Sequence, residues 1–141
     1  MSAKPLFQFP GQGSQAVGMG VNLAENFAEA RAVFAEVNDA LSEDLFTMMK
    51  DGPEDDLRLT RNAQPALFAS SMAALAVLRT ATGKNIADLA GCVAGHSLGE
   101  YSALAAAGTL SITDAARLLR QRGDSMQGAV PPGEGAMAAI L

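Results

Sequence analysis

The sequence has little cysteine, no concentrated positive charge and no long apolar run, and each scarcity excludes a class of protein. Its single cysteine, Cys92, has no disulfide partner in the chain, and we expect it to be a buried, unreactive thiol. The 10 basic residues are outnumbered by 15 acidic ones and form no cluster, which argues against a nucleic-acid partner. The longest mostly apolar stretch, residues 66–78, contains two serines and is too short for a membrane span.

The composition is that of a globular domain. Apolar residues make up 49% of the 141 residues and charged residues 18%, which is enough to build one core and too apolar for a disordered chain. The first residues carry one lysine followed by Pro5, a pattern unlike that of a signal peptide. We therefore expect a cytoplasmic protein that binds neither a membrane nor nucleic acid.

Alternating strand and helix patterns predict an α/β fold with a largely parallel sheet. The predicted elements, in chain order, are a strand at 6–9, an amphipathic helix at 22–41, an acidic surface loop at 51–56, a helix from about 62 to 82 with Pro65 in its first turn, and a Ser111-capped helix at 115–126. A last apolar segment, residues 136–141, predicts a strand that is only beginning.

The pentapeptide from Gly95 to Gly99 has the pattern Gly-x-Ser-x-Gly, with Ser97 at its centre. This is the pattern of a nucleophile elbow, a sharp turn from strand to helix that exposes the serine hydroxyl. The uncharged apolar run at 89–94 predicts a strand buried on both faces, and the Ala/Leu-rich run at 100–107 predicts a helix. The sequence therefore predicts that Ser97 is a catalytic nucleophile.

A serine nucleophile needs a base and an oxyanion hole. The chain's one histidine, His96, is adjacent to Ser97, and neighbouring side chains diverge in such a turn. This disfavours His96 as the base and favours a role in supporting the elbow. The backbone N–H of Leu98 is predicted to be one oxyanion donor. The glycine-rich loop at 11–13 is the candidate for the second, with an ordinary tight turn as the alternative.

Four motifs, in order and spacing, resemble the malonyl-CoA:acyl-carrier-protein transacylase family. They are Phe9-Pro10-Gly11-Gln12-Gly13-Ser14-Gln15, Asn62-Ala63-Gln64-Pro65-Ala66, Gly95-His96-Ser97-Leu98-Gly99-Glu100-Tyr101 and Gln121-Arg122-Gly123. The resemblance extends from residue 6 to the last residue. Four motifs in register are much more specific than the elbow alone.

The resemblance implies both an architecture and a set of roles. It implies the N-terminal part of an α/β-hydrolase-like subdomain over residues 1–128, and a linker with the first strand of a ferredoxin-like subdomain over 129–141. It implies that malonyl-CoA and the phosphopantetheine of an acyl carrier protein are the substrates, with no metal or other cofactor. The implied site residues are Ser97 as nucleophile, the backbone N–H groups of Gln12 and Leu98 as oxyanion hole, Arg122 as partner of the malonyl carboxylate, and Gln64 beside Ser97.

The family's catalytic histidine lies well after the elbow, where these 141 residues have none. We therefore expect the chain to be the front part of a longer protein and to lack its base. Docking of an acidic carrier protein would use Lys84, Arg117 and Arg120, the densest positive charge. Two alternatives remain: a serine esterase or thioesterase of the α/β-hydrolase class, and a non-catalytic fragment that binds a carrier protein.

Overall fold

Two short parallel strands and the helices around them form the part of the chain that the computed structural model describes, residues 4–130 and 133–135. Strands β1 (Leu6–Phe9) and β2 (Cys92–Gly95) pair with Leu6 opposite Cys92 and Phe9 opposite Gly95. The helices are α1 (Val21–Asn26), α2 (Ala28–Leu41), α3 (Leu45–Asp51), α4 (Glu54–Arg58), α5 (Thr60–Thr82), α6 (Ile86–Leu89), α7 (Leu98–Ala106) and α8 (Ile112–Ala129). The predicted α/β class with a parallel sheet is confirmed. The strand predicted at 136–141 lies outside the described residues.

The sheet is covered on one face only within the described part of the chain. Phe9 is buried and Val93 half-buried on the covered face, where α7 packs against both strands. Leu6 and Cys92 are paired on the other face, and both are exposed. The predictions of a doubly buried strand and a buried thiol are therefore wrong for this structure. An apolar run indicates that a strand needs cover, but elements distant in sequence must supply it.

Helix α5 is the centre of the helical layer, and it packs against α2, α7 and α8. By length and composition alone it would pass as a membrane span, contrary to the expectation from the sequence. However, the core helix of a soluble protein passes the same test, and α5 buries Leu67, Phe68 and Met72 in the protein core.

The predicted helix at 22–41 is two helices. Phe27 has an extended backbone (φ −132°, ψ 121°) between α1 and α2. Periodicity missed the break because one extended residue leaves the apolar spacing on either side almost unchanged. The guanidinium of Arg31 donates to the carbonyl oxygen of Ala24 over 2.6 Å. It thereby provides a hydrogen-bond donor for one of the last carbonyl groups of α1.

Two further predictions need adjustment, and one is confirmed. The acidic segment at 51–56 is not all loop, because Glu54, Asp55 and Asp56 form the first turn of α4. Negative charge there interacts favourably with the positive end of the helix dipole. Pro65 lies beyond the first turn of α5, which begins at Thr60. Ser111 does cap α8, since its hydroxyl accepts a hydrogen bond from the N–H of Asp114 over 3.0 Å.

Candidate active site

A sharp turn at Ser97 joins the end of β2 to the start of α7. Ser97 has φ 57° and ψ −118°, a backbone conformation that costs an L-residue free energy. The flanking glycines leave no room for a side chain: a Cβ at Gly95 would collide with the carbonyl of Gly99, and one at Gly99 would collide with the carbonyl of Phe9. The two glycines therefore allow strand and helix to approach closely enough for this turn.

The loop after β1 lies directly beside this turn, because the two parallel strands end at the same edge. A Cβ on Gly11 would lie 3.1 Å from the carbonyl oxygen of His96. Neither the N–H of Gln12 nor that of Leu98 donates to a backbone carbonyl within the described residues. Two free backbone donors thus occur on neighbouring segments at the edge where Ser97 lies.

Arg122 is the charged group at the Ser97 hydroxyl. Its Nη2 donates to Oγ of Ser97 over 3.0 Å, and its Nη1 donates to Oε1 of Gln64. The guanidinium carbon lies 5.9 Å from the centre of the Tyr101 ring, within range of a cation–π interaction. These two bonds use two of the five N–H donors of a guanidinium, which leaves donors for an anion.

Gln64 is fully buried and continues the hydrogen bonding from Arg122 towards the β1 loop. Its Nε2 donates to the hydroxyl of Thr60 over 2.9 Å, and that hydroxyl donates to Oε1 of Gln12 over 2.8 Å. A chain of side-chain hydrogen bonds therefore connects Ser97, Arg122, Gln64, Thr60 and Gln12. We call this the Ser97–Gln12 chain.

Sequence reasoning missed Thr60 and Tyr101 as parts of this arrangement. Tyr101 follows the serine at the i+4 position of the turn and helix, a spacing that could have indicated it. Thr60 gave no signal of its own, because its role depends on how α5 lies against the β1 loop.

The ring of His96 is exposed, and within the described residues it makes no hydrogen bond with the Ser97 hydroxyl. Its Nδ1 would lie 3.5 Å from a Cβ on Gly11, so the ring is next to the β1 loop rather than over Ser97. Its supporting role therefore stays a prediction.

Arg120 is not part of a basic docking surface, contrary to expectation. Its side chain is only 10% exposed, and Nη2 pairs with the Glu43 carboxylate over 2.6 Å. Burial lowers the pKa of the Arg120 guanidinium, and the charge of Glu43 opposes that shift. Arg117 remains exposed on the same helix.

The charge at the site suits an anion. No group of three or more His, Cys, Asp and Glu side chains that would suit a metal ion occurs among the residues described. At this edge of the sheet, the described residues place the Arg122 cation beside Ser97, the uncharged Gln64 amide beside Arg122, and the N–H groups of Leu98 and Gln12, which have no backbone acceptor among them. This arrangement can bind a carboxylate beside a hydroxyl and stabilise negative charge on an adjacent oxygen.

Comparison with known proteins agrees with the motifs. The family model described as the acyl transferase domain matches residues 6–141. A malonyl CoA-acyl carrier protein transacylase of Bacillus subtilis (strain 168) is 48% identical over 139 residues, which is 99% of this chain and 42% of that protein. A crystal structure of acyl-carrier-protein-S-malonyltransferase from Bartonella henselae aligns with a TM-score of 0.87 at 58% identity, covering 90% of this chain and 40% of that one.

A third relative was solved with its protein partner. It is a malonyl-transacylase in complex with a type II PKS acyl-carrier protein, with a TM-score of 0.85 and 44% identity, covering 93% of this chain and 41% of that one. The chain thus spans about two-fifths of the length of these relatives. The match over residues 6–141 confirms the resemblance in the four motifs, and the chain belongs to the acyl transferase domain family.

Proposed function

We propose that the protein moves a malonyl group from malonyl-CoA to the phosphopantetheine thiol of an acyl carrier protein in fatty-acid synthesis, through a malonyl ester on Ser97. Relatives named for this transfer support the proposal. The observation that carries it is the 3.0 Å hydrogen bond from Arg122 to the Ser97 hydroxyl.

The position of Arg122 suits the chemistry of a malonyl group. In such a group one methylene separates the carboxylate from the acyl carbon, so a cation that binds the carboxylate must lie beside the nucleophile. Arg122 meets this requirement, and its remaining donors allow paired hydrogen bonds to a carboxylate. An esterase or thioesterase acting on uncharged acyl chains would gain nothing from a cation at this place.

The first half-reaction starts with attack of Oγ of Ser97, at the tip of a nucleophile elbow, on the thioester carbonyl. The new oxygen–carbon bond places negative charge on the carbonyl oxygen, which accepts hydrogen bonds from the N–H groups of Gln12 and Leu98. Collapse of this intermediate breaks the carbon–sulfur bond, and coenzyme A leaves as its thiol after receiving the serine proton through the base. Gln64 holds Arg122 in place meanwhile.

The second half-reaction reverses these bonds with another thiol. The carrier thiol loses its proton to the base and attacks the ester carbon, and the Oγ–carbon bond breaks as Ser97 recovers a proton. We propose that the base that takes the Ser97 proton is a histidine outside these 141 residues. Oγ of Ser97 is hydrogen-bonded to Arg122, and the His96 ring lies beside the β1 loop.

The proposal extends to the subdomains, the cofactor requirement and the location of the protein. Residues 1–128 would belong to an α/β-hydrolase-like subdomain, and residues 129–141 would lead into a ferredoxin-like one. In this proposal neither transfer step uses a metal or a redox cofactor, because Ser97 carries the acyl group, a base carries the protons and no atom changes its oxidation state. The bacterial relatives favour a cytoplasmic protein.

The test is to incubate the full-length protein with malonyl-CoA and then with an acyl carrier protein that bears phosphopantetheine. We expect a malonyl mass increment on Ser97 that disappears as the carrier protein gains it, and none on Ser97→Ala. Release of free malonate instead of transfer would indicate a thioesterase. Binding of the carrier protein with no increment on Ser97 would indicate a non-catalytic module.

A further inference from the structure

A proline inside α5 leaves one backbone carbonyl without its helical donor. Pro65 has no N–H, so the carbonyl of Arg61, four residues earlier, cannot accept the usual hydrogen bond. The helix begins at Thr60, so this gap lies inside the helix and next to Gln64. The turn that holds Gln64 against Arg122 is thus short of one backbone hydrogen bond.

Arg120, on α8, supplies the missing donor. Its Nη1 donates to the Arg61 carbonyl, and the same nitrogen lies 2.8 Å from Oδ1 of Asn62. Asn62 in turn donates from Nδ2 to the carbonyl of Asp56 over 2.8 Å, which ties the preceding helix to the same turn. One guanidinium therefore binds both a main-chain and a side-chain oxygen of the turn that precedes Gln64.

The close crossing of α5 and α8 makes this contact specific. A Cβ on Gly123 would lie 2.6 Å from Cα of Arg61 and 3.0 Å from the carbonyl oxygen of Thr60. Backbones this close leave no space for a side chain between them, and Arg120 reaches the Arg61 carbonyl from one turn earlier on α8. Its Nε is buried without a partner among the described residues, so the arrangement does not satisfy every donor of Arg120.

We infer that Arg120 is a positioning residue, whose guanidinium replaces the backbone hydrogen bond that Pro65 removes and so fixes Gln64 against Arg122 beside Ser97. The consequence for catalysis rests on the proposed malonyl transfer. Arg120 itself touches none of the reacting atoms.

A double-mutant cycle on Arg120 and Pro65 in the full-length protein tests the inference. Arg120→Met removes the donor and keeps the apolar stem, and we expect about a tenfold fall in the rate of Ser97 malonylation. Pro65→Ala restores a backbone N–H for the Arg61 carbonyl. In that background Arg120→Met should lower the rate by no more than about threefold, because the carbonyl is no longer unpaired. Equal losses in both backgrounds would overturn the inference.

Three matched variants separate positioning from charge and packing. Arg117→Met removes an exposed arginine of the same helix, which donates to the Ala40 carbonyl, and it should leave the rate of Ser97 malonylation by malonyl-CoA unchanged, because that step does not involve the carrier protein. Glu43→Gln weakens the ion pair but keeps the bond to Arg61, and it too should leave the rate nearly unchanged. Arg120→Lys keeps the positive charge and a single donating nitrogen, and it should recover part of the loss. A rate loss in Glu43→Gln as large as in Arg120→Met would assign the effect to the ion pair.

A second readout does not depend on activity. The side-chain amide signals of Gln64 in a nitrogen–proton correlation spectrum should shift in Arg120→Met and return towards their original positions when Pro65→Ala is added. Unchanged Gln64 signals in Arg120→Met would contradict the inference. If the wild-type protein is not malonylated at all while these signals behave as expected, the proposed function fails and the positioning role stands.

Discussion

Arg122 donates a hydrogen bond to the Ser97 hydroxyl over 3.0 Å, although the two residues lie 25 positions apart, Ser97 in the turn before α7 and Arg122 within α8. The bond occupies one lone pair of the hydroxyl and holds its oxygen towards the cation. In the proposed function, a malonyl carboxylate would bind the N–H donors of Arg122 that the bonds to Ser97 and Gln64 leave over, and so would lie beside the hydroxyl.

The strained backbone at Ser97 gives the first prediction. Ser97→Gly should raise the free energy of unfolding by about 1 kcal/mol relative to Ser97→Ala, because glycine adopts φ 57° without a steric cost. Both variants lack the hydroxyl, so the comparison isolates the backbone. Urea unfolding of the two proteins measures the difference. A less stable glycine variant would show that Ser97 is not strained.

The close approach at the turn gives the second prediction. Gly95→Ala should lower the free energy of unfolding by about 3 kcal/mol or more, since the new methyl group would overlap the carbonyl of Gly99. Gly128→Ala is the matched control. It lies within α8 with no atom near its added methyl group, and it should be neutral or stabilise by about 0.5 kcal/mol. Similar effects at both positions in thermal unfolding would contradict the packing described for the turn.

Thr60 carries the third prediction, which concerns the Ser97–Gln12 chain. Thr60→Val removes the hydroxyl that accepts from Gln64 and donates to Gln12, and leaves the buried Gln64 amide short of an acceptor. We expect a loss of about 1–2 kcal/mol in stability and about a tenfold fall in the rate of Ser97 acylation. Thr60→Ser keeps the hydroxyl and should retain most of the wild-type stability and most of the acylation rate. If valine and serine behave alike, the hydroxyl does not connect the two glutamines.

Local signals account for what could be predicted from the sequence. The first strand, the cap at Ser111 and the turn at Ser97 are each encoded by a few adjacent residues whose sterics or hydrogen bonding leave few options. The motif resemblance added Gln64 and Arg122, which have no local signature. The structure brings Arg122 to Ser97, and it brings Gln64 to Arg122.

The features that could not be predicted depend on non-local packing. Thr60 and Arg120 acquire their partners only where α5 meets the β1 loop and α8. Arg120 was expected to be surface charge because Arg117 and Arg122 lie close to it in the sequence, yet its partners Glu43 and Arg61 are distant along the chain. Cys92 was expected to be buried because the apolar run around it needs cover, which the described residues provide on one face of the sheet only.

The central claim, that Arg122 selects a carboxylate-bearing acyl group for Ser97, is tested most directly by acylation rates with two substrates. Malonyl-CoA and acetyl-CoA are each offered to the full-length wild type and to Arg122→Met, and modification of Ser97 is followed by mass spectrometry. Loss of the charge-assisted bonds should cost malonylation about 3 kcal/mol, roughly a hundredfold in rate, while acetylation is unchanged or faster. Equal losses with both thioesters would contradict the account, because Arg122 would then act on the shape of the site and not on the carboxylate.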